Sequence, residues 1–302
     1  MAATREWTRT GMTEQELQDA RRAKWRLDGR PMRTAEDAAE FLESVGMCTF
    51  YPQQDLLLPS FVGAWLGSEE RLPAARRAFA DERVAAARTL AVELLRSRSA
   101  YESNLLGENL LLLAGSVFPF FYALQGDRNP RAELKPGRRE KISPLAADVF
   151  GAIQKDGPIS KPGLRQALGG EPSEPALDRA LGELWSRLRI TRVDYRAGQG
   201  ALWDTLLRWA PEAVREGLQL SVGEALSALV SRYLDAVVAA ERKQIEEFFG
   251  RLAPRSRVRE NVNALLGARE LAFRSVGSKT LVELAPRREE SRRAVAAEKP
   301  VP

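Results

Sequence analysis

Two stretches decide the fold: ITRVDYRAGQGALWDTL, residues 190–206, and LAFRSVGSKTLVEL, residues 271–284. Each is a pair of β-prone runs around a glycine-bearing tip, 196–200 in the first and 276–279 in the second. Glycine supplies the backbone freedom of a tight turn, and the flanking Val, Ile, Leu and aromatic residues suit strands, so each stretch predicts a β-hairpin. Three helical segments precede each hairpin. Before the first come residues 144–155, a turn at Ile159-Ser160, then 161–168 and 173–188. Before the second come 221–240, 242–249 and 254–266. Three helices closed by a hairpin is the winged variant of the helix-turn-helix. Both copies end in Ala-Pro, at Ala210-Pro211 and Ala285-Pro286. The chain therefore reads as mainly α with small β wings: tandem winged-helix modules plus helical insertions.

Toward the N-terminus the pattern is more helical. Thr13 and Glu16 form a capping box for a helix that stops at Gly29-Arg30-Pro31, and Thr34 opens a second helix ending at Gly46. Residues 47–52 are a short β-prone run broken by Pro52, followed by a polar knot, Gln53-Gln54-Asp55, and an apolar helix over 56–65. One long Ala- and Arg-rich helix is expected over 69–98, with Pro73 in its first turn, and an apolar block over 105–124 packs the centre of this half. The organisation that follows is an N-terminal arm (1–12), an N-terminal helical or winged-helix region (13–125), a linker (126–143), a second winged helix (144–211), a third (218–286) and a disordered tail (287–302).

Composition removes several classes of function. The 302 residues contain no histidine and one cysteine, Cys48. Imidazole-based zinc sites, Ser-His-Asp or Cys-His nucleophiles and a disulfide framework are excluded. Carboxylates are not grouped in a pattern that suggests magnesium, so no metal or cofactor is expected. No apolar stretch is long enough for a bilayer and no leader pattern opens the chain, which predicts a cytoplasmic protein. The formal charge of +5 is compatible with a polyanionic partner.

Where that partner would touch differs between the copies. The third helix of a winged helix enters the major groove, and the wing reaches the phosphate backbone or the minor groove. The helix from Ser173 has a mixed surface (Glu174, Asp178, Arg179, Glu183, Arg187), although its wing holds Arg189, Arg192 and Arg196. The helix from Pro254 opens with Arg255, Arg257 and Arg259, with Arg274 before the following wing tip and Lys279 at it. Two readings of this basic edge stand side by side: a phosphate-contacting surface for duplex DNA, or a solvated charged face.

Tandem winged helices behind an N-terminal helical region, the 42–66 segment, and the block from Tyr101-Glu-Ser-Asn-Leu to Phe118-Pro-Phe-Phe-Tyr resemble the AlkZ-like DNA glycosylase family, the group that includes YcaQ. The likeness covers about Thr13 to Pro286. It implies three winged-helix units around a concave basic surface, and hydrolysis of the N-glycosidic bond of alkylated or crosslinked bases in duplex DNA. The family's signature, Gln-hydrophobic-Gln or Gln-hydrophobic-Asp three residues after a helix-ending glycine, falls here on Thr49-Phe50-Tyr51, counted from Gly46. The hydrophobic middle is kept and both polar positions are changed. Neither a hydroxyl nor a phenol is a base at neutral pH. A rival placement is Gln53-Gln54-Asp55, with Asp55 as the carboxylate, and Glu102 and Glu108 are further candidates for steering water. Three functions stay open: a DNA-binding family member with lost or altered excision of damaged bases, a working glycosylase with a divergent motif, or a winged-helix regulator or scaffold.

Overall fold

The computed structural model describes residues 9–70, 72, 81–107, 109–134 and 142–286. A short strand, β1 (Arg9–Met12), precedes α1 (Glu14–Lys24). The Thr13 hydroxyl accepts the Glu16 amide at 3.1 Å while the Glu16 carboxylate accepts the Thr13 amide at 2.7 Å, so the capping box forms as expected. Arg21 and Trp25 then pin this helix to the third unit, donating to the carbonyls of Val237 at 3.0 Å and Ala236 at 2.8 Å.

One element order recurs three times. The first unit holds α2 (Ala35–Val45), β2 (Met47–Thr49), α3 (Phe61–Leu66), α4 (Glu82–Arg96), β3 (Ala100–Leu106) and β4 (Asn109–Ala114), followed by α5 (Phe118–Gln125). The second holds α6 (Pro144–Asp156), β5 (Ile159–Ser160), α7 (Lys161–Ala167), α8 (Glu174–Trp185), β6 (Ile190–Arg196) and β7 (Gly200–Thr205), with α9 (Leu206–Trp209) and α10 (Pro211–Gln219) after it. The third holds α11 (Val222–Val237), β8 (Ala239–Ala240), α12 (Arg242–Phe249), α13 (Arg255–Gly267), β9 (Leu271–Val276) and β10 (Lys279–Leu284). In each unit the last strand lies in the middle of a small sheet: β2-β4-β3, β5-β7-β6 and β8-β10-β9. The third sheet gains β1 as a parallel partner of β9.

Several local expectations are corrected. The helix placed over 56–65 starts only at Phe61, because Ser60 caps it, its hydroxyl accepting the Gly63 amide at 3.0 Å. The long helix placed over 69–98 is not continuous: Glu69 and Leu72 lie outside helix, and α4 begins at Glu82 behind the cap Asp81. The apolar block over 105–124 is the end of one strand, a second strand and a helix, turned at Gly107, whose φ of 72° suits glycine. Ile159-Ser160 is a strand paired with Trp203 and Leu202 rather than a free turn. The tail over 287–302 and residues 1–8 lie outside the described residues.

A continuous apolar core joins the first unit, α5 and the third unit, through residues such as Phe41, Leu112, Phe118, Leu229 and Phe249. The Tyr101 and Phe118 rings stack at 3.8 Å, with Trp209 edge-on to Tyr101 at 5.1 Å. Burying a side chain of this size contributes about 1.5–3 kcal/mol, so this packing ties the first and third units together. The second unit has its own core, centred on Val149, Ile153, Leu177 and Leu184. It is stitched to the first by Arg96 to Asp194 at 2.5 Å and by the Trp185 indole N–H to the Glu102 carbonyl at 3.2 Å.

Candidate nucleic-acid interface

Gly46 ends α2 with a φ of 74°, its amide donating to the Leu42 carbonyl at 2.7 Å. A Cβ there would lie 3.0 Å from Val117 Cγ2, so both backbone and space call for glycine. The chain emerges as β2, and pairing of Thr49 with Leu111 fixes what each following side chain faces. Thr49 is 1% exposed, and its amide and its hydroxyl both donate to the Pro59 carbonyl, at 3.0 and 3.3 Å. Phe50 stacks on Phe61. Tyr51 is half-buried. Burial pushes its phenol above the ordinary value, Asp81 and Glu69 push further and Arg83 opposes them, so it stays a proton donor at neutral pH. Asp81 itself is held down at about 2 by the Arg83 guanidinium.

Two residues beside this strand had no role in the sequence reading. Ser60, bridged to Thr49, donates to the Glu69 carboxylate at 2.5 Å, and Glu69 in turn lies near Tyr51. The capping position before an apolar helix was the only signal for Ser60; nothing local marked Glu69. Glu102 is 8% exposed, with burial raising its carboxyl and Arg192 partly offsetting the rise. It is a strut between units and not a group that meets solvent water. Glu108 lies outside the described residues.

Asp55 faces elsewhere. It is exposed on the loop after β2, at the rim of a cavity of about 470 Å³ between the first and third units. Leu56, Leu57, Tyr233 and Phe248 supply its apolar wall, while Gln244, Glu247, Arg251 and Arg255 join Asp55 among its polar residues. Gly250 lets the Arg255 stem cross the end of α12: a Cβ there would lie 2.6 Å from the Glu246 carbonyl and 3.1 Å from Arg255 Cγ. Arg251 was not singled out from the sequence, because it stands in the turn between two helices, apart from the clustered arginines.

The basic residues divide by their surroundings. Arg255 and Arg257 are exposed at the start of α13 and make no ion pair among the described residues. Arg259 is also exposed, but both oxygens of Glu246 hold it, at 3.3 and 3.0 Å. Arg274 sits mid-strand, half-buried and bonded to the buried Glu283, which neutralises it in place. It thus forms an ion pair within the sheet. Lys279, at the turn, is exposed and 3.1 Å from Glu241. In the second unit Arg196 is exposed beside Asp194 at 3.8 Å. Arg192 is half-buried, 4.4 Å over Trp185 and 5.1 Å over Trp203, and 3.4 Å from Glu102. Arg189, read as a wing cation, is 3% exposed and donates to Asp127 at 3.0 Å and the Asn129 carbonyl at 2.8 Å. Among the described residues no three His, Cys, Asp or Glu side chains gather to hold a metal ion, and no helix is long and apolar enough to cross a membrane.

The family model described as DNA glycosylase AlkZ-like matches residues 73–301. The fold is similar to that of Streptomyces sahachiroi DNA glycosylase AlkZ, with a TM-score of 0.58 and 15% identity, covering 96% of this chain and 74% of that one. No curated protein sequence matches the chain.

Proposed function

We propose, from the premise that this chain belongs to the AlkZ-like DNA glycosylase family, that it binds damaged duplex DNA and releases bases feebly or not at all. The three repeated units are winged-helix modules in this reading, and the start of α13 is its main phosphate-contacting edge. Arg255 and Arg257 support that edge because both are exposed and make no ion pair among the described residues, although Arg255 acts at longer range on Glu246.

The observation that carries the catalytic half is Thr49. Hydrolysis of an N-glycosidic bond needs a water held near the anomeric carbon and negative charge beside the developing cation. At the family's first polar position this chain has a buried hydroxyl bonded to the Pro59 carbonyl. At the second it has a phenol, protonated at neutral pH in any case and pushed further up by burial. Neither brings negative charge, and losing one such stabilising group costs about 10²–10³ in rate. A second reading, a working glycosylase, is favoured by one fact: Asp55 lies on a cavity rim beside arginines.

Single-turnover base release from alkylated duplex DNA separates them, comparing wild type, Thr49→Gln with Tyr51→Asp, and Asp55→Asn. The expected result is tight, salt-sensitive binding with negligible release by the wild type. Robust release that Asp55→Asn abolishes would overturn this proposal in favour of the second reading. Absence of salt-sensitive DNA binding would point instead to a regulator or scaffold.

A further inference from the structure

Among the described residues, the third unit's hairpin alone receives a strand from outside its unit: β1 pairs with β9, while the other two sheets keep three strands each. From β1 the chain passes directly into α1, whose first turn reaches the hairpin turn at Gly277-Ser278. Gly277 has a φ of 56°, and a Cβ there would lie 3.2 Å from Glu14 Oε1, so the Glu14 carboxylate rests against the turn. Just past the turn, the Lys279 ammonium stands 3.1 Å from Glu241, which caps the start of α12. Glu14, Glu241 and Lys279 line a single cavity of about 350 Å³, floored by the buried Leu17, Val276 and Leu281. The α1 side of this brace is anchored from behind. Arg21 donates to the Val237 and Ala239 carbonyls at 3.0 and 2.6 Å, and Lys24 lies 2.7 Å from Asp235. At the second unit's tip, by contrast, Arg196 pairs with Asp194 of its own strand.

We propose that Glu14 and Glu241 form an autoinhibitory brace, standing where a DNA phosphate would stand and holding the Lys279 ammonium back from the duplex. The inference rests on the DNA-binding reading above and adds how one of its contacts is regulated. An ammonium–carboxylate contact uses the same hydrogens that a phosphate oxygen would take, so the two compete for one lysine. The competition is reversible. The Lys279 side chain is 60% exposed and that of Glu241 41%, and exposed pairs are weak and screened by salt. Duplex engaged on the α13 edge of the same unit supplies the competing phosphates and displaces the carboxylates. Until then they answer the tip's cation, and the third hairpin stays out of contact with stray polyanions.

Fluorescence anisotropy of a short labelled duplex across a salt series tests this. It compares wild type, Glu14→Gln with Glu241→Gln, Lys279→Ala, and all three substitutions together. Glutamine removes the charge but keeps an acceptor oxygen, so the cap that Glu241 supplies to α12 survives. The expected outcome is about two- to fivefold tighter binding by the double variant at low salt, the range an exposed ion pair supplies. Its slope of log K against log salt should steepen by up to about 0.9. Lys279→Ala should cost the double variant that whole step and wild type only a fraction of it. Unchanged affinity in the double variant would overturn the inference. So would a gain that survives Lys279→Ala, because it would come from general loss of negative charge and not from a freed lysine. Either result leaves the DNA-binding reading intact. Failure of all four proteins to bind the duplex would overturn both.

Discussion

The second and third units follow the same element order and carry similar numbers of arginines around their third helix and hairpin, yet they use them differently. In the second unit Arg189 is buried among Asp127 and backbone carbonyls, and Arg192 lies over two mutually edge-on indoles beside Glu102. In the third, Arg255 and Arg257 project into solvent from the first turn of α13. Arg189 and Arg192 of the second unit are spent on internal contacts, while Arg255 and Arg257 of the third stay exposed. A guanidinium that has already exchanged water for carbonyls and aromatic faces cannot also neutralise a phosphate.

The largest expected effect tests the structural side of this contrast. Arg189→Ala removes a guanidinium that is 3% exposed, together with the donor it gives to the part-exposed Asp127 and to the Asn129 carbonyl. Stranding such groups costs about 1–3 kcal/mol each, so the variant should lose about 3 kcal/mol in urea unfolding. The salt dependence of DNA binding by the folded fraction should not change. A flattened salt slope with normal stability would assign Arg189 to the interface and break the comparison.

The converse experiment is Arg255→Ala with Arg257→Ala and Arg259→Ala. Each phosphate contact contributes about 0.9 to the slope of log K against log salt. Arg255 and Arg257 are free and Arg259 is held by Glu246, so the slope should fall by about 1.8, not by the full amount for three. Stability should hold, since all three side chains are exposed. An unchanged slope in filter-binding titrations would remove this edge from the interface.

The hairpin tips should matter less. Arg196 and Lys279 are exposed but each has a carboxylate nearby, Asp194 at 3.8 Å and Glu241 at 3.1 Å. Alanine at either should lower the same slope by less than about 0.9. A larger drop for Arg196 than for the triple variant would transfer the main contact to the second unit.

Much of this architecture was legible because it is local. Both C-terminal hairpins, their glycine tips and the caps at Thr13 and Thr34 follow from short-range chemistry, and they appear where the residues place them. The first unit's hairpin was not seen. Its strands are leucine-rich and buried, and a continuous apolar run does not distinguish a buried strand from a buried helix. The site was less legible than the fold for a related reason. Whether Thr49 faces water or Pro59, and whether Arg274 faces DNA or Glu283, depends on pairing across the sheet and not on spacing along the chain. Asp55 and Arg251 come together only through the packing of the first unit on the third.

The smallest predicted effect reads the same contrast through protons. Two arginine–glutamate pairs differ in setting: Arg192 of the second unit with Glu102 of the first, and Arg259 with Glu246 within the third. Burial raises the Glu102 carboxyl, with Arg192 only partly compensating, so the folded chain holds that proton more tightly than the unfolded chain. Stability from Glu102 is therefore full below the ordinary glutamate value and is lost as pH rises through the folded one. At Glu246 the Arg259 hydrogen bond lowers the carboxyl and burial is minor. Its contribution is present above the ordinary value and is lost as pH falls through the lowered one. Replacing each by Gln removes its titration. The stability advantage of wild type over Glu102→Gln should thus shrink between acidic and neutral pH, while its advantage over Glu246→Gln should grow. Urea midpoints measured across that range would show opposite slopes. Parallel slopes would mean that Arg192 governs Glu102 as Arg259 governs Glu246, and that the buried seam is held by charge attraction instead of packing.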